Sequence, residues 1–341
     1  MLIIIIIYLS TIFYHNARGM KMSYNLKLKK IFQICGIVFL SVALAACGNG
    51  QAGNGNGNKP AGGAKTRTVT DAVGHQVKVP AHPKRVIATY LEDHLVALGV
   101  KPVAQWSVSN GIQEYLQDDL LKGVPTISYD LPYEQVQKFK PDLILIDDAG
   151  MVEGGKYEQY SKIAPTFVVS KKQNSDWRKE LLTVGKVLNK EAKAKQVLAD
   201  YEKTAKKAKA QLAKNGKSPS AAAIWLVNNK FFIVSKNVSS GDVLYNDLGL
   251  KVPAVVNEIS AKATSNWNAI SLEKLTELDA DYIFLINSDK TRATELDNAL
   301  WKSIPAVKKH HVAEFSADTG WLYSGAIANK EMIQDVLKTI K

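Results

Sequence analysis

Apolar runs alternate with amphipathic segments along the chain from residue 66 onward. Val86–Ala88 is predicted as a short buried strand, and Leu91–Leu98 as a helix that ends at Gly99, a residue suited to a helix C-cap. The neighbouring pattern predicts a hairpin at Thr66–Pro80, strands at Val100–Gln105, Leu143–Asp147 and Thr166–Ser170, and a helix at Tyr157–Ile163. This alternation of strands and helices is typical of an α/β unit with a mostly parallel sheet.

The strongest helical patterns lie in the middle of the chain. Asp176–Leu188 is one, and the longer Glu191–Ala213 is rich in strong helix formers and carries an apolar stripe. A second alternating series follows, with strands predicted at Ala221–Val227, Phe231–Val234, Tyr282–Ile286 and His311–Phe315 and a final helix near Ile327–Ile340. The pattern therefore predicts two α/β lobes, residues 66–189 and 215–341, joined by a single long helix over residues 190–214.

One segment of the chain occurs twice, as YEQVQKFKPDLILI beginning at Tyr133 and as LEKLTELDADYIFLI beginning at Leu272. In each copy a glutamate, Glu134 or Glu273, opens a short amphipathic helix, and an aspartate eight residues later precedes an apolar run. A single copy would be an ordinary helix, turn and strand. Two copies in register indicate two similar lobes that each place a glutamate at the same point of the surface.

The amino-terminal segment has the pattern of an export signal. Lys27, Lys29 and Lys30 form a positively charged stretch, and Ile31–Val42 is an apolar run too short to predict a membrane span. The residues LAAC, ending at Cys47, resemble the lipobox of bacterial lipoproteins, in which a diacylglycerol attached to the cysteine anchors the protein to the membrane. The alternative is a signal without lipidation, in which the cysteine has no special role.

This resemblance divides the amino-terminal part of the chain in two. Residues 1–46 are predicted as the leader, of which 1–19 form an over-extended start if translation begins at Met20 or Met22. Residues 47–65 carry the lipidated cysteine and a glycine- and asparagine-rich tract with almost no apolar side chain. Such a composition buries too little apolar surface to fold, so it predicts a flexible tether that holds the folded part clear of the membrane.

The net charge is positive but does not indicate binding to nucleic acid. The chain of 341 residues has a formal charge of +12, and five of its positive charges precede Cys47 without any Asp or Glu among them, which leaves +7 for the remainder. The later lysines are concentrated on predicted helices such as Lys190–Lys214, as on a solvated face. Because no basic stripe interleaved with aromatic residues occurs, nucleic acid is not predicted as a partner.

Candidate chemistry for catalysis or direct metal binding is sparse. Cys35 lies in the predicted leader, so a processed chain keeps Cys47 alone and has no internal disulfide. The five histidines after the leader show no ligand spacing except the adjacent His310 and His311, whose side chains would point to opposite faces of a strand. No nucleophile elbow, Walker loop, dinucleotide fingerprint or HExxH pattern occurs. We therefore predict no enzyme, no resident cofactor and no protein metal site.

These features together resemble one family, the siderophore-binding lipoproteins of iron ABC importers. The resemblance is carried by the lipobox, the tether, the paired glutamate segments, the opening VTDAVGHQVKVPAHPKRVIAT and the later WKSIPAVKKHHVAEF, in the family's order and spacing. It covers nearly everything from Cys47 to Lys341, and Gram-positive receptors of the schizokinen, citrate or bacillibactin type are the most similar. It implies the class III periplasmic-binding-protein fold, α/β with two Rossmann-like lobes joined by a single long α-helix and a ligand cleft between them.

The resemblance also implies a role for the paired glutamates. In that family a glutamate on each lobe docks onto arginines of the permease, and Glu134 and Glu273 occupy the matching positions. The permease works with a cytoplasmic ATPase, and both are implied partners. The alternative is that each glutamate only complements the positive end of its own helix, a contribution of about 0.3–1 kcal/mol. The presence of a glutamate at the same position in both copies of the segment favours docking over this local role.

Candidate ligand contacts follow from the expected position of the cleft. In open α/β sheets ligands bind beyond the carboxyl ends of the strands, so residues just after apolar runs are candidates. A ferric siderophore is bulky and oxygen-rich, which calls for aromatic walls and, for anionic chelates, cationic partners. The aromatic candidates are Tyr90, Trp106, Trp321 and Tyr323, whereas Trp225 in mid-strand is predicted to belong to the core.

The cationic candidates are Arg178, Lys262 and Arg292, predicted at a helix start or in loops near the cleft. For Arg178 the alternative is a surface ion pair with Asp176 or Glu180. Hydroxamate–carboxylate, catecholate and citrate chelates would all tolerate such a cleft. The sequence therefore leaves the identity of the siderophore open.

The function implied is that of a lipid-anchored receptor on the extracellular face of the cell membrane. It would bind a ferric siderophore and deliver it to an ABC permease for iron uptake. The iron is expected to arrive already chelated, so that the protein contacts the chelator. The alternatives are a receptor of the same fold for another metal chelate, such as haem or cobalamin, and a surface lipoprotein with no part in transport.

Overall fold

Two five-stranded sheets organise the chain. The computed structural model describes residues 66–108, 111–172, 176–215, 218–290 and 293–340. The predicted leader, the tether with Cys47, and Arg292 lie outside the described residues. An antiparallel hairpin of β1 (Thr66–Thr70) and β2 (Gln76–Pro80) precedes the first sheet, as the alternating valines predict.

The first sheet is entirely parallel. Its strands are β3 (Val86–Ala88), β4 (Ala104–Ser107), β5 (Thr126–Ser128), β6 (Leu143–Asp148) and β7 (Thr166–Ser170). They lie side by side in the order β5-β4-β3-β6-β7. The strands β3, β6 and β7 are almost wholly buried, because helices on both faces of a parallel sheet leave no side for water.

Helices connect these strands and then lead out of the lobe. They are α1 (Glu92–Ala97), α2 (Tyr133–Lys138), α3 (Lys156–Ile163) and α4 (Trp177–Val187), followed by the long α5 (Glu191–Leu212). In α5 the buried residues recur every three or four positions, at Ala194, Val197, Tyr201, Ala205 and Ala208. This spacing keeps one face of the helix against the protein and the lysine-rich face in solvent.

The second sheet is mixed. Its strands are β8 (Ala221–Val227), β9 (Lys230–Val234), β10 (Trp267–Ile270), β11 (Tyr282–Asn287) and β12 (Val312–Ser316). They lie in the order β10-β9-β8-β11-β12, with β9 antiparallel to both neighbours. Asn228 and Asn229 have φ angles of 52° and 54° and form the two-residue turn between β8 and β9. Asparagine tolerates this left-handed conformation, which suits a tight hairpin.

The helices of the second half are short until the last. They are α6 (Ser239–Gly241), α7 (Ala254–Lys262), α8 (Leu272–Leu275), α9 (Ala299–Ser303), α10 (Pro305–Lys308) and α11 (Ala326–Thr339), and a π-helical turn, Asp242–Asp247, follows α6. The last helix, α11, packs against α5 and α1. The carboxyl-terminal helix therefore contacts both the connecting helix and the first half of the chain.

In both sheets the order in which strands are added reverses beside the first strand. From β3 the chain builds β4 and β5 on one side and then crosses to β6 and β7 on the other, and from β8 it builds β9 and β10 before crossing to β11 and β12. Ligands of open α/β sheets bind at such a switch point, beyond the carboxyl ends of the strands. A ligand is therefore expected to bind near the residues that follow β3, β6, β8 and β11.

Candidate functional site

Tyr90 marks the switch point of the first sheet. It follows β3 after Thr89 and has a left-handed backbone with a φ of 58°. A non-glycine residue in this region costs about 1–3 kcal/mol, and such strain is concentrated at functional sites. The Tyr90 ring lies edge-on to Trp106 at the end of β4, with 5.5 Å between ring centroids. Two of the predicted aromatic contacts are therefore neighbours.

A third predicted aromatic residue joins them from the far end of the chain. Tyr323 follows β12, yet its ring centroid lies 5.9 Å from that of Tyr90 and 5.3 Å from that of Tyr115. Its hydroxyl donates to the carbonyl of Ile112 at 3.3 Å. Burial raises the pKa of Tyr323 to about 12, so the phenol stays neutral and able to donate. Aromatic side chains of both halves of the fold thus meet at one place.

A buried carboxyl group is hydrogen-bonded to the backbone of Trp106, beside Tyr90. Glu92 opens α1 and is only 2% exposed. Its Oε1 accepts the backbone N–H of Trp106 at 2.8 Å, and its Oε2 accepts the Gln113 side-chain N–H at 2.9 Å. Burial raises the pKa of Glu92 to about 7. Glu92 therefore fixes the backbone of Trp106 and brings a carboxyl group beside Tyr90.

Asp147 adds a second buried carboxyl group at the end of β6. Its backbone N–H donates to Thr89 Oγ1 at 2.9 Å, which joins the ends of β3 and β6. The residue is 2% exposed, and its Oδ2 has no hydrogen-bond partner. Burial, and then the charges of Glu180, Asp148 and Glu92, raise the pKa of Asp147 well above its usual range.

Two further acidic side chains lie close enough to Asp147 for their charges to raise its pKa. Asp148 accepts the backbone N–H of Gly150 at 2.8 Å, and burial raises its pKa. Glu180, in the first turn of α4, is buried, and its Oε2 lies 3.6 Å from His94 Nε2. We call Glu92, Asp147, Asp148 and Glu180 the carboxyl cluster.

Asp93 ties the first half of the fold to the last helix. Its carboxylate accepts the backbone N–H groups of Ile327 at 3.2 Å and Ala328 at 2.9 Å, in the first turn of α11. It also accepts the Tyr115 hydroxyl at 3.0 Å. A carboxylate is favourable at a helix amino terminus, where N–H groups lack intrahelical partners. This contact holds Tyr115 beside Tyr323.

Arg178 makes ion pairs that the local sequence does not indicate. Its Nη1 lies 2.8 Å from Asp242 Oδ2 and its Nη2 lies 2.6 Å from Asp247 Oδ1, both in the π-helical turn of the second half. The guanidinium also packs on the Trp177 ring, 4.7 Å from its centroid. Asp176 instead caps α4. The expectation of an Arg178 charge free to meet a ligand does not fit this arrangement.

Trp321 and Lys262 are not brought to the aromatic residues. Trp321 is 0% exposed and stacks on Phe284 and Phe315, with ring centroids 4.9 and 5.1 Å away, so it is a core residue. Lys262 ends α7, is exposed, and precedes β10 at the edge where that strand begins, opposite the carboxyl ends of β8 and β11. Neither position suits a ligand contact in this structure.

The paired glutamates occupy equivalent places. Glu134 lies in the first turn of α2 and Glu273 in the first turn of α8, and both are exposed. Each helix follows a strand that runs parallel to the central strands of its sheet, so each begins at the carboxyl-end edge. The two glutamates therefore lie on the rims that border the switch points.

A shallow depression lies at the carboxyl ends of β11 and β12. Its volume is about 480 Å³, and its lining residues are Asn287, Lys290, Glu314, Phe315 and Ser316.

Among the described residues no group of three or more His, Cys, Asp or Glu side chains is arranged to hold a metal ion. None of the described helices is long and apolar enough to cross a membrane.

The sequence did not single out Glu92, Asp93, Gln113 and Tyr115. Three consecutive polar residues at the start of an amphipathic helix are normally assigned to its solvated face, yet Glu92, Asp93 and His94 are all buried. The sequence feature that could have indicated Glu92 and Asp93 is their position shortly after β3, at the edge of the sheet where ligands bind. Asp147 was recognisable by the same rule.

Comparisons with known proteins agree with this architecture. The family description "Periplasmic binding protein" matches residues 88–319. The chain is similar to the iron-uptake system-binding protein of Bacillus subtilis (strain 168), 30% identical over 303 residues, or 85% of this chain and 92% of that protein. It is 28% identical to the probable siderophore-binding lipoprotein YfiY of the same organism, over 92% of this chain and 98% of that protein.

The crystal structure of Staphylococcus aureus SirA complexed with staphyloferrin B has a similar fold. It has a TM-score of 0.67 and 26% identity, over 80% of this chain and 98% of SirA. The predicted fold class is therefore confirmed.

Proposed function

Because the chain belongs to the periplasmic binding protein family, we propose that it is the substrate-binding component of an ABC importer that takes up iron as a ferric siderophore. Its relatives are named for iron uptake and siderophore binding. The observation that carries the proposal is the meeting of Tyr90 and Trp106 with Tyr323 at the switch point. These rings offer flat walls to a bulky chelate from both halves of the fold.

The ligand contacts in this proposal are Tyr90, Trp106 and Tyr323, with Tyr115 behind them. The iron is cargo and enters already coordinated by the chelator. The protein therefore needs shape, aromatic surface and hydrogen-bond donors rather than metal ligands. Glu92 and Asp93 would act indirectly, because they fix the backbone of Trp106 and the hydroxyl of Tyr115.

Docking on the permease is assigned to Glu134 and Glu273. Both are exposed, both open a helix, and both lie on the cleft-side rims of equivalent units. Two carboxylates at matching positions suit a permease with two similar subunits, each presenting a guanidinium. The alternative role in complementing a helix terminus needs no such pairing.

Attachment to the membrane is assigned to Cys47, which lies outside the described residues. The proposal rests on the lipobox-like LAAC sequence and on relatives that are named as lipoproteins. A lipid on Cys47 and the tract up to residue 65 would keep the receptor at the outer face of the cell membrane.

Tryptophan fluorescence tests the proposed function directly, since Trp106 lies in the site. Addition of ferric siderophores to the purified protein should quench emission in a saturable manner with about one chelate bound per chain. The iron-free chelators are the control and should quench less. If no ferric chelate of the hydroxamate, catecholate or citrate class changed the emission, the receptor function would be excluded.

A further inference from the structure

The first turn of α11 is bound by a carboxylate of the first half of the chain. Asp93, in α1, is only 2% exposed, and it accepts the N–H groups of Ile327 at 3.2 Å and Ala328 at 2.9 Å. These N–H groups lie in the first helical turn, where no intrahelical carbonyl is available to them. The last helix of the second half therefore begins on a residue of the first half.

Gly325 allows this close approach. It directly precedes α11, and a Cβ atom at this position would overlap the Cγ and Oδ1 atoms of Asp93. Any side chain here would force the start of the helix and the carboxylate apart. The contact therefore depends on a particular residue in each half, an aspartate in the first and a glycine in the second.

An apolar contact accompanies the hydrogen bonds. Ile327 and Tyr115 both pack against a buried cluster of the first half, which consists of Val96, Leu116, Leu121 and Val124. The Tyr115 hydroxyl also donates to the Asp93 carboxylate at 3.0 Å. Asp93 thus binds both the start of α11 and an aromatic residue that borders the ligand site.

Tyr323 lies two residues before Gly325, and its side chain contacts the first half of the chain. Its ring centroid lies 5.3 Å from that of Tyr115 and 5.9 Å from that of Tyr90. Its hydroxyl donates to the carbonyl of Ile112 at 3.3 Å. These three partners all belong to the first half, although Tyr323 follows β12 of the second. Attachment of α11 to Asp93 holds the adjacent Tyr323 in this position.

We propose that Asp93 is a positioning residue for chelate binding, which fixes Tyr323 against Tyr90 before the ligand arrives. The proposal rests on the receptor function given above. A site whose aromatic rings are already held in place loses less conformational freedom on binding, so more of the contact energy appears as affinity. Asp93 itself need not touch the chelate, because it acts through α11 and Tyr323.

A double-mutant cycle on chelate affinity tests this role. The probes are a ferric trihydroxamate, a ferric tris-catecholate and ferric citrate, and the cycle uses each probe that binds the unmodified protein. Asp93→Asn should weaken binding at least about fivefold, because an amide has one acceptor oxygen and turns its NH₂ group toward a backbone donor. In the Tyr323→Ala background the same substitution should change the affinity less than about twofold, since the ring that Asp93 positions is absent.

Asp142→Asn is the matched control. Asp142 also accepts two backbone N–H groups, from Lys84 at 2.8 Å and Arg85 at 2.9 Å. These residues precede β3 and β6, so the contact lies within the first half and at the edge of the sheet opposite the switch point. Asp142→Asn should leave the affinity within about twofold of the unmodified protein.

The outcomes of the cycle separate the two proposals. An equal loss of affinity from Asp93→Asn in both backgrounds, or a loss no greater than that from Asp142→Asn, would overturn the role of Asp93 and leave the receptor function intact. Failure of all three probes to bind the unmodified protein would overturn the receptor function itself.

Amide hydrogen exchange in the unliganded protein tests the same role without any substitution, and it decides the matter if Asp93→Asn does not fold. The first turn of α5 is the internal comparison, because no side chain caps that helix and Ala192 and Lys193 are exposed. The N–H groups of Ile327 and Ala328 should be protected at least about tenfold more than those of Ala192 and Lys193. Equal protection of the two helix starts would show that Asp93 does not hold α11 in the absence of ligand.

Discussion

The ring centroid of Tyr90 lies 5.9 Å from that of Tyr323, although the two residues belong to opposite ends of the folded chain. Tyr90 follows the first strand of the first sheet, and Tyr323 follows the last strand of the second. A ligand held against both rings touches both halves of the fold. This contact is the structural basis for placing the chelate between the lobes.

Replacement of Tyr90 by glycine should weaken chelate binding at least tenfold. Glycine adopts the φ of 58° without strain, so the turn is preserved while the aromatic wall is lost. An aromatic contact between the Tyr90 ring and the chelate would contribute about 0.5–1.5 kcal/mol beyond the apolar area that it buries, and about 1.4 kcal/mol corresponds to a tenfold change in affinity. Titration calorimetry measures the change. Tyr90→Phe, which keeps the ring, should bind within about threefold of the unmodified protein, and an equal loss in both variants would contradict the role given to the ring.

Arg178→Gln should lower the free energy of unfolding by about 2 kcal/mol, because it leaves Asp242 and Asp247 partly buried without a cation. Urea denaturation measures this loss. Addition of Asp242→Asn and Asp247→Asn to the same protein should recover part of the stability. Lys179→Gln is the control, since that ion pair is 82% exposed on the lysine side and should matter by less than about 0.5 kcal/mol. Equal effects at the two positions would contradict the account.

Arg178 also illustrates which features could be predicted from the sequence and which could not. The sequence predicted β3, β7 and β8 with their observed bounds and placed the connecting helix within one residue of its end. For Arg178 it offered only partners nearby in the chain, whereas the observed partners lie 64 and 69 residues away. Spacing along a helix predicts local pairs, but pairs between distant elements depend on how the lobes pack.

Glu92 should make stability fall as pH rises from about 4.5 to about 7. The folded protein holds a proton on this buried group up to about pH 7, while the unfolded chain loses it near the ordinary value of 4.5, so ionisation favours unfolding within this window. The contribution is on the order of 3 kcal/mol or less. Asp147 acts in the same direction.

Thermal unfolding across this pH range measures the effect. Glu92→Gln removes the titrating group and should reduce the slope of the melting temperature against pH, whereas Glu202→Gln on the exposed face of α5 should not. An undiminished slope in Glu92→Gln would mean that the raised pKa of Glu92 does not govern stability in this window.

Charge reversal of the paired glutamates should separate transport from binding. Glu134→Lys with Glu273→Lys should reduce uptake of chelated radioactive iron by cells more than about tenfold, because lysines would repel the guanidinium groups expected on the permease. Affinity for the chelate should stay within about twofold, since neither glutamate belongs to the group of aromatic residues proposed to contact the ligand. Glu158→Lys with Glu202→Lys, at exposed positions elsewhere, should preserve uptake. Loss of chelate affinity in the first variant would exclude the docking role.

The remaining differences between sequence and structure have identifiable causes. The predicted strand at Val100–Gln105 begins only at Ala104. Val100 donates its N–H to Leu95 at the end of α1, and Pro102 has no N–H to donate. The direction of the strands in the second half was not predicted, and the Asn228-Asn229 turn makes β9 antiparallel to β8. The burial of Glu92 and Asp93 depends on Trp106 and α11, which no local pattern specifies.

Locating the iron is the most direct test of a site between the lobes. The protein should be crystallised with a neutral ferric trihydroxamate, and the iron found by its anomalous scattering. We expect one iron per chain, with the chelator in contact with Tyr90, Trp106 and Tyr323. Iron in the depression lined by Asn287 and Lys290, or anywhere that leaves these three rings uncovered, would contradict the account.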